Sequence, residues 1–391
     1  MNASDRIVVL NIITGLYTGG AEMMLYKLLS KMNRDRFSPV VISLMDRGTL
    51  GDRIAALDIP VHTIGIEPGN PQAKPVWQFI RQVRQIQPNL VQGWMYHGNL
   101  AAQLYAASTL RSVPILWNVR QSLYSLKHEK LGTAAVIKLL AQLSWLPKKI
   151  LYNTKTGAIQ HEKIGYQKAK TLVIPNGFDP EIFVPSVEAR ISVREELQVG
   201  SDALLIGIVG RYHPMKDHAN FVQAAASLSK KYPHIQFVMS GREIDERNQT
   251  LCKQIHDLKL ANRVHLLGER RDISRLTAAL DIATSASAHG EGFANVVGEA
   301  MSCGVSCAVT DVGDSAWIVG DTGRIVPPQN AQALARAWEE LIEIGAEARQ
   351  TLGTAARTRI VENFSLNSVV VQYETLYESL LTKKLQSEVS T

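Results

Sequence analysis

Short apolar runs recur along this chain, most of them followed by a stretch whose apolar positions fall three or four apart. In the first half, residues 7–13, 39–44, 60–64, 90–94, 114–117 and 149–152 read as strands, with a short glycine-containing turn after the second. Residues 21–32 and 76–87 carry helical spacing, and Pro88 ends the latter. Apolar strands alternating with amphipathic helices predict parallel βαβ units with both sheet faces covered.

The pattern breaks at Ile174-Pro175-Asn176-Gly177-Phe178-Asp179-Pro180, where two prolines and an Asn-Gly pair predict a linker. It then restarts. Residues 204–209, 236–240, 264–267, 281–285 and 305–310 read as strands, and 221–231 as a helix. A final helical stretch, residues 368–383, lies outside both repeats. The expected fold is α/β: two tandem Rossmann-like, doubly wound domains, residues 1–180 and 181–362, facing each other across a cleft. Residues 363–391 are expected to form a helix that packs back on the N-terminal domain.

The 391 residues give ample length for two cores, and no apolar run approaches the ~18 residues of a membrane span. The apolar stretch near the N-terminus lacks a small-residue cleavage site and is read as the first strand, not a signal peptide. Cys252, Cys303 and Cys307 form no C-x-x-C pair; Cys303 and Cys307, which straddle a helix end and a strand start, are expected to be small buried hydrophobes, and the low cysteine usage fits a reducing cytoplasm.

Charge is uneven. Residues 1–180 hold 21 Lys and Arg against 10 Asp and Glu, or +11; the rest hold 21 against 26, or −5. The excess concentrates between Arg120 and Lys170. Within it, residues 131–146 read as a mostly apolar helix flanked by Lys127, Lys130, Lys148 and Lys149, with Trp145 near its end. That pattern suits a segment resting on an anionic membrane surface, and equally a crossover helix with solvated lysines. No basic–aromatic interleaving points to nucleic acid.

The candidate chemistry sits where strands end. Glu291 and Glu299 bracket the turn and helix start Gly290-Glu291-Gly292-Phe293-Ala294-Asn295-Val296-Val297-Gly298-Glu299. One carboxylate falls on the loop after a strand, the other about a turn inside the next helix. In an open α/β sheet this is the ligand crevice, and free N–H groups at the helix start favour phosphate. Carboxylates beside a phosphate site suit the hydroxyls of a nucleotide-sugar; ordinary acidic capping is the alternative. Gly210-Arg211-Tyr212-His213-Pro214-Met215-Lys216 follows another strand directly, and its two cations suit a diphosphate. Gly19-Gly20, after the first strand, would let backbone approach a phosphate, although the third glycine of a dinucleotide fingerprint is missing. Tyr96-His97-Gly98 follows a further strand, where His97 could orient a hydroxyl or carbonyl, and Asn118 and Arg120 are placed on the same acceptor-side rim.

Taken in order, these motifs resemble retaining glycosyltransferases of the GT-B fold, in particular family 4. The resemblance covers most of the chain. It rests on Gly19-Gly20, His97, Asn176-Gly177, Arg211 with Lys216, Gly268 to Asp272, Glu291-x7-Glu299 followed by Ala300-Met301-Ser302-Cys303-Gly304, and Gly323-Arg324-Ile325-Val326-Pro327-Pro328. It implies that Arg211, Lys216 and Gly20 bind the donor diphosphate, and that Asn295 to Val297, Val296 included, offer N–H groups to the phosphates. Glu299 would hold the ribose and Glu291 the transferred sugar. Gly268 to Arg271 would lie by the base, and His97 by the reacting carbon. It further implies no metal and no cofactor, since the nucleotide-sugar is a substrate, and the chain has no Asp-x-Asp motif.

The stretches around His97 and Asn118 look like those of bacterial enzymes that build surface polysaccharides such as O-antigen. This implies transfer of a hexose or N-acetylhexosamine, UDP-linked, to a polyprenyl-diphosphate or saccharide acceptor by a protein that is cytoplasmic or peripheral on the inner membrane face. The chain departs from the family at Ala294 and at Ser306 or Cys307, where relatives often carry proline. It departs again at Trp317, where a glutamate is usual. Competing readings are a GT-B nucleotide-sugar epimerase, which would need catalytic carboxylates in the N-terminal domain, and a non-catalytic nucleotide-sugar-binding protein.

Overall fold

The computed structural model describes residues 6–67 and 73–389. The chain divides into two units: unit 1, Met1–Gly177 with Leu366–Thr391, and unit 2, Phe178–Ser365.

Unit 1 runs β1 (Ile7–Ile13), α1 (Gly20–Lys31), β2 (Phe37–Ser43), α2 (Gly48–Ala55), β3 (Val61–Thr63), α3 (Ala73–Ile86), β4 (Leu90–Trp94) and α4 (Met95–Ala107). It continues through β5 (Ile115–Val119), α5 (Leu131–Leu143), β6 (Lys149–Tyr152), α6 (Lys155–Lys163) and β7 (Thr171–Val173). In unit 2, α7 (Val187–Glu196) precedes β8 (Leu205–Val209), α8 (His218–Leu228), β9 (Gln236–Ser240), α9 (Gln249–Asp257), β10 (Val264–Leu266) and α10 (Ile273–Ala278). Then come β11 (Ile282–Ser285), α11 (Asn295–Ser302), β12 (Ser306–Thr310), α12 (Ser315–Val319), β13 (Gly323–Val326), α13 (Ala331–Glu343) and α14 (Gly345–Asn363). Helix α15 (Leu366–Val389) returns to unit 1.

Both sheets are parallel throughout, and both reverse their strand order in the middle. Unit 1 is ordered β3-β2-β1-β4-β5-β6-β7 and unit 2 β10-β9-β8-β11-β12-β13. The switch points therefore lie between β1 and β4, and between β8 and β11. Each sheet separates two apolar clusters, which is why its strands are continuous apolar runs without alternation.

Helix α15 completes one face of unit 1. Tyr373 and Tyr377 are fully buried there, and Tyr373 stacks on Trp94 with ring centroids 6.4 Å apart. The Tyr377 hydroxyl donates to Gln92 Oε1 at 3.0 Å, and the Glu374 carboxylate accepts from the Asn33 N–H at 2.7 Å. A Cβ on Gly177 would lie 2.8 Å from Leu366 Cα, so the chain crosses between units at a point where only glycine fits.

Three local features differ from the sequence expectation. Helix α2 forms where a turn was expected; only Leu50 and Ile54 give it an apolar stripe, and two glycines mask the spacing. Helix α4 begins at Met95 (φ +62°), directly after β4, so His97 lies in a first helical turn and not in a loop. Gly98 serves packing there: a Cβ would collide with the Ile12 carbonyl oxygen of β1. The predicted helix at 131–146 ends at Leu143, and Ser144 closes it by donating to the Ala141 carbonyl at 2.7 Å.

Candidate active site

At the carboxyl ends of the unit 2 strands, consecutive loops are bonded to one another. After β8, the Gly210 N–H donates to the Ser240 carbonyl at 2.8 Å. After β9, the Gly241 N–H donates to the Gly268 carbonyl at 2.8 Å, and the Tyr212 N–H to the Arg242 carbonyl at 2.8 Å. Gly241 sits at φ +150° against the Gly210 carbonyl, which leaves no room for a side chain. The loops after β8 and β11 also meet, through the Ala288 N–H and the Met215 carbonyl at 2.8 Å.

These contacts set the geometry at the switch point. A 3₁₀ turn at Pro214–Lys216, capped by the His213 side chain, carries Lys216 back over the strand end. Its Nζ lies 2.5 Å from Glu291 Oε2, and the buried Ser287 hydroxyl donates to the same oxygen at 3.0 Å. Thr310, at the end of β12, donates to the Ser287 carbonyl at 2.7 Å and so fixes that loop. Gly313 (φ +63°) packs on the Glu291 and Gly292 carbonyls, and the Asp314 N–H donates to the Gly292 carbonyl at 3.0 Å. Glu291 is thus held from β8, β11 and β12 at once.

On the loops after β8, β9 and β10, Arg211, Arg242 and Arg271 are exposed, and among the described residues their side chains have no hydrogen-bond or ion-pair partner. Asn295 and Val296 open α11, with Glu299 partly exposed one turn on. Phe293 is buried, stacked on Phe178 at 5.7 Å and edge-on to Trp317 at 6.3 Å. It seats the turn and presents no face to a ligand. Gly298 makes room for the Phe178 ring.

In unit 1, Gly19 caps α1, and a Cβ on Gly20 would meet open space. The Glu22 carboxyl folds over the same helix start, where burial raises its pKa. His97 is half-buried, and burial lowers its pKa, so its imidazole is neutral at pH 7. Two expected acceptor-side residues prove interior. The Tyr96 ring is buried, its hydroxyl 2.9 Å from His161 Nε2. Asn118 is fully buried and donates to the Tyr373 hydroxyl at 2.9 Å. Arg120 joins them, donating to the same hydroxyl at 3.0 Å and to Asn176, so it ties α15 and the chain crossing to β5. A strand-end position says that a residue is near an edge, but not which face its side chain takes.

Sequence reasoning missed Ser287, Thr310, Arg242 and Gly313 as supports of the site. The Ser-x3-Glu spacing is their only local signal; the rest is tertiary. Among the described residues, no group of three His, Cys, Asp or Glu is placed to hold a metal ion, and no helix is long and apolar enough to cross a membrane.

Two doubly wound parallel sheets, the second with a cation–carboxylate pair at its switch point, define the GT-B class. A family model described as Glycosyl transferases group 1 matches residues 190–359, and one described as Glycosyltransferase Family 4 matches residues 18–182. The chain belongs to this glycosyltransferase family. It is 25% identical over 334 residues to EpsF of Bacillus subtilis, a protein whose name assigns it provisionally to the glycosyltransferases; the match spans 80% of each chain. It is also 25% identical over 219 residues to the UDP-Gal:alpha-D-GlcNAc-diphosphoundecaprenol alpha-1,3-galactosyltransferase of Escherichia coli, a match covering 55% of this chain and 56% of that one. Among solved structures, HepE of Anabaena in complex with UDP superposes with a TM-score of 0.81 at 23% identity, over 95% of this chain and 100% of that one.

Proposed function

We propose that this glycosyltransferase moves a hexose or N-acetylhexosamine from a UDP-sugar to a lipid-linked or saccharide acceptor in bacterial polysaccharide synthesis, with retention of anomeric configuration and without a metal. The observation that carries the reading is the Lys216–Glu291 pair at the β8/β11 switch point, with Arg211 free beside it. A diphosphate needs fixed positive charge, and a sugar needs carboxylate acceptors for its hydroxyls. One nucleotide-sugar presents both needs within a few ångströms. The UDP complex of HepE and the UDP-Gal donor in the name of the Escherichia coli relative favour uridine.

In this reading, Arg211 and Lys216 hold the diphosphate and stabilise the charge that grows on it as the bond from the anomeric carbon to its phosphate oxygen breaks. The leaving diphosphate keeps the electron pair. The acceptor hydroxyl oxygen bonds to the same face of that carbon, and its proton passes to the departing phosphate oxygen, so no protein base is required. Glu291 accepts from hydroxyls of the transferred sugar and Glu299 from the ribose. The neutral imidazole of His97 suits a hydrogen bond to a sugar hydroxyl. Because guanidinium and ammonium supply the cationic charge, turnover should be unaffected by EDTA.

The test is a panel of radiolabelled nucleotide-sugars incubated with the protein and a membrane lipid extract. Label from a UDP-sugar should move into lipid; turnover only with other nucleotides, or label confined to the nucleotide fraction, would sink the reading.

The same proposal places the protein at an anionic membrane surface. Leu131 is 92% exposed and Trp145 60% exposed, on and just beyond α5, beside exposed Lys127, Lys130, Lys138 and Lys148. Helix α5 buries only Ile137, Leu140 and Ala141, so much of its apolar surface stays available. Binding to vesicles containing anionic lipid should weaken with salt and with Lys148→Gln plus Trp145→Ser. Equal binding to neutral vesicles would count against it.

A further inference from the structure

Unit 2 has a basic cavity at the amino ends of its strands. It has a volume of about 540 Å³, and its lining includes Asp281, just before β11, together with Val305 and Ser306 at the start of β12. Arg211 and Glu291 follow the carboxyl ends of β8 and β11, so this cavity lies at the opposite edge of the same sheet.

Three guanidiniums line it, from Arg190, Arg349 and Arg357, against one carboxylate, Asp281. Three positive charges less one negative leave +2. That carboxylate is already committed: one oxygen takes Arg190 at 2.7 Å, and the other takes buried Arg194 and the Leu205 N–H, each at 2.8 Å. Among the described residues, Arg357 donates only to carbonyl oxygens, those of Pro180, Phe183 and Ser302. Arg349, partly buried, donates to the Leu341 carbonyl at 3.1 Å and, among the described residues, to nothing else. Burial also holds its pKa below the ordinary arginine value. Two partly buried cations therefore have no carboxylate of their own, an arrangement that favours an anion.

The walls are fixed. Gly353 of α14 lies so close to the Gly304 carbonyl that no side chain would fit, and Gly304 turns at φ +69°. The first residues of α7 and α14 also line the space, and helix starts add to the positive potential. The volume exceeds what a lone carboxylate fills and matches a small ligand. The forked donors of several arginines match the oxygens of a phosphate.

We propose that this cavity is a binding site for a small phosphate-bearing ligand, held by Arg190, Arg349 and Arg357 and distinct from the site at the carboxyl edge. The assignment does not depend on the donor reading. The test is calorimetry with inorganic pyrophosphate on the full chain at low salt. A variant carrying Arg211→Gln and Lys216→Gln should still bind pyrophosphate at one site per chain. Adding Arg349→Gln should weaken that binding by roughly tenfold or more, the scale of a charge-assisted contact. Adding Thr354→Glu instead places a carboxylate on the lining from the exposed side of α14, gives up only the bond from the Thr354 hydroxyl to the Gln350 carbonyl within that helix, and should have the same effect. The proposal fails if the Arg211/Lys216 variant binds no pyrophosphate, or if affinity is unchanged by Thr354→Glu in a chain with a native far-UV spectrum.

Discussion

Lys216 and Glu291 form a partly buried ion pair. In the proposed reaction, Lys216→Ala should lower kcat/KM by roughly a hundredfold, the scale of one lost transition-state contact; near-normal turnover would overturn the diphosphate assignment. Gly241→Ala should cost about 2 kcal/mol or more in urea denaturation, because the new methyl meets the Gly210 carbonyl in a backbone region that favours glycine. His161 makes a further residue-scale prediction. It is fully buried; its Nδ1 donates to the Gly157 carbonyl at 2.7 Å, so its Nε2 accepts from the Tyr96 hydroxyl. Burial pushes its pKa from 6.5 down to about 4, and that of buried His218 likewise to about 4. Below pH 6.5 the unfolded chain takes up protons that the folded one refuses. Stability is therefore complete above pH 6.5 and lost on acidification, by about 1.4 kcal/mol per pH unit for each histidine until pH approaches 4. Urea melts at several pH values should show this slope, and His161→Gln should remove one proton's share of it. An identical slope in that variant would refute the assignment.

At the scale of elements, α11 is short and carries both Asn295 and Glu299, so its placement depends on its seat. That seat is aromatic: Phe178, Phe293, Trp317 and Phe364 pack in sequence, with Trp317 edge-on to Phe364 at 5.2 Å. The tryptophan that replaces the family's glutamate is thus a packing residue here. Trp317→Ala should cost about 2 kcal/mol and lower the melting temperature, read by calorimetry; an unchanged transition would show that the cluster is dispensable. Strands with long apolar runs, such as 7–13, 90–94, 149–152 and 236–240, were legible in the sequence to the residue because both their faces are buried. Helix α2 was not, since two glycines hide its stripe, and the start of α4 was not, since the β4–α4 turn is made by a single residue at positive φ. Glu291, Glu299, Arg211 and Lys216 were legible because strand-end position and residue type coincide. Ser287 and Thr310 escaped notice because their roles exist only once three strands are side by side.

For the whole molecule, the paired charges and the fold agree, but the division of the chain adds a constraint. Unit 1 owns α15, whose Val369, Val370, Tyr373 and Tyr377 are buried in the same cluster as Leu25, Phe37 and Trp94. Truncation after Ser365 should therefore leave Trp94 and Phe37 uncovered and yield an aggregating or unfolded unit 1, detected by dye binding and lost cooperativity; a soluble chain with a sharp transition would contradict this. The sequence separates the final helix from both repeats, yet its contacts with Gln92 and Asn118 span more than 250 positions and carry no local signal. The same arrangement bears on synthesis. The 188 residues of unit 2, from 178 to 365, are made before α15. At roughly 5–20 residues per second, the ribosome holds an incomplete unit 1 for about 10–40 s while its tryptophan face waits for the last helix. A nascent chain arrested before residue 366 should stay protease-sensitive throughout unit 1, and one released after α15 should not.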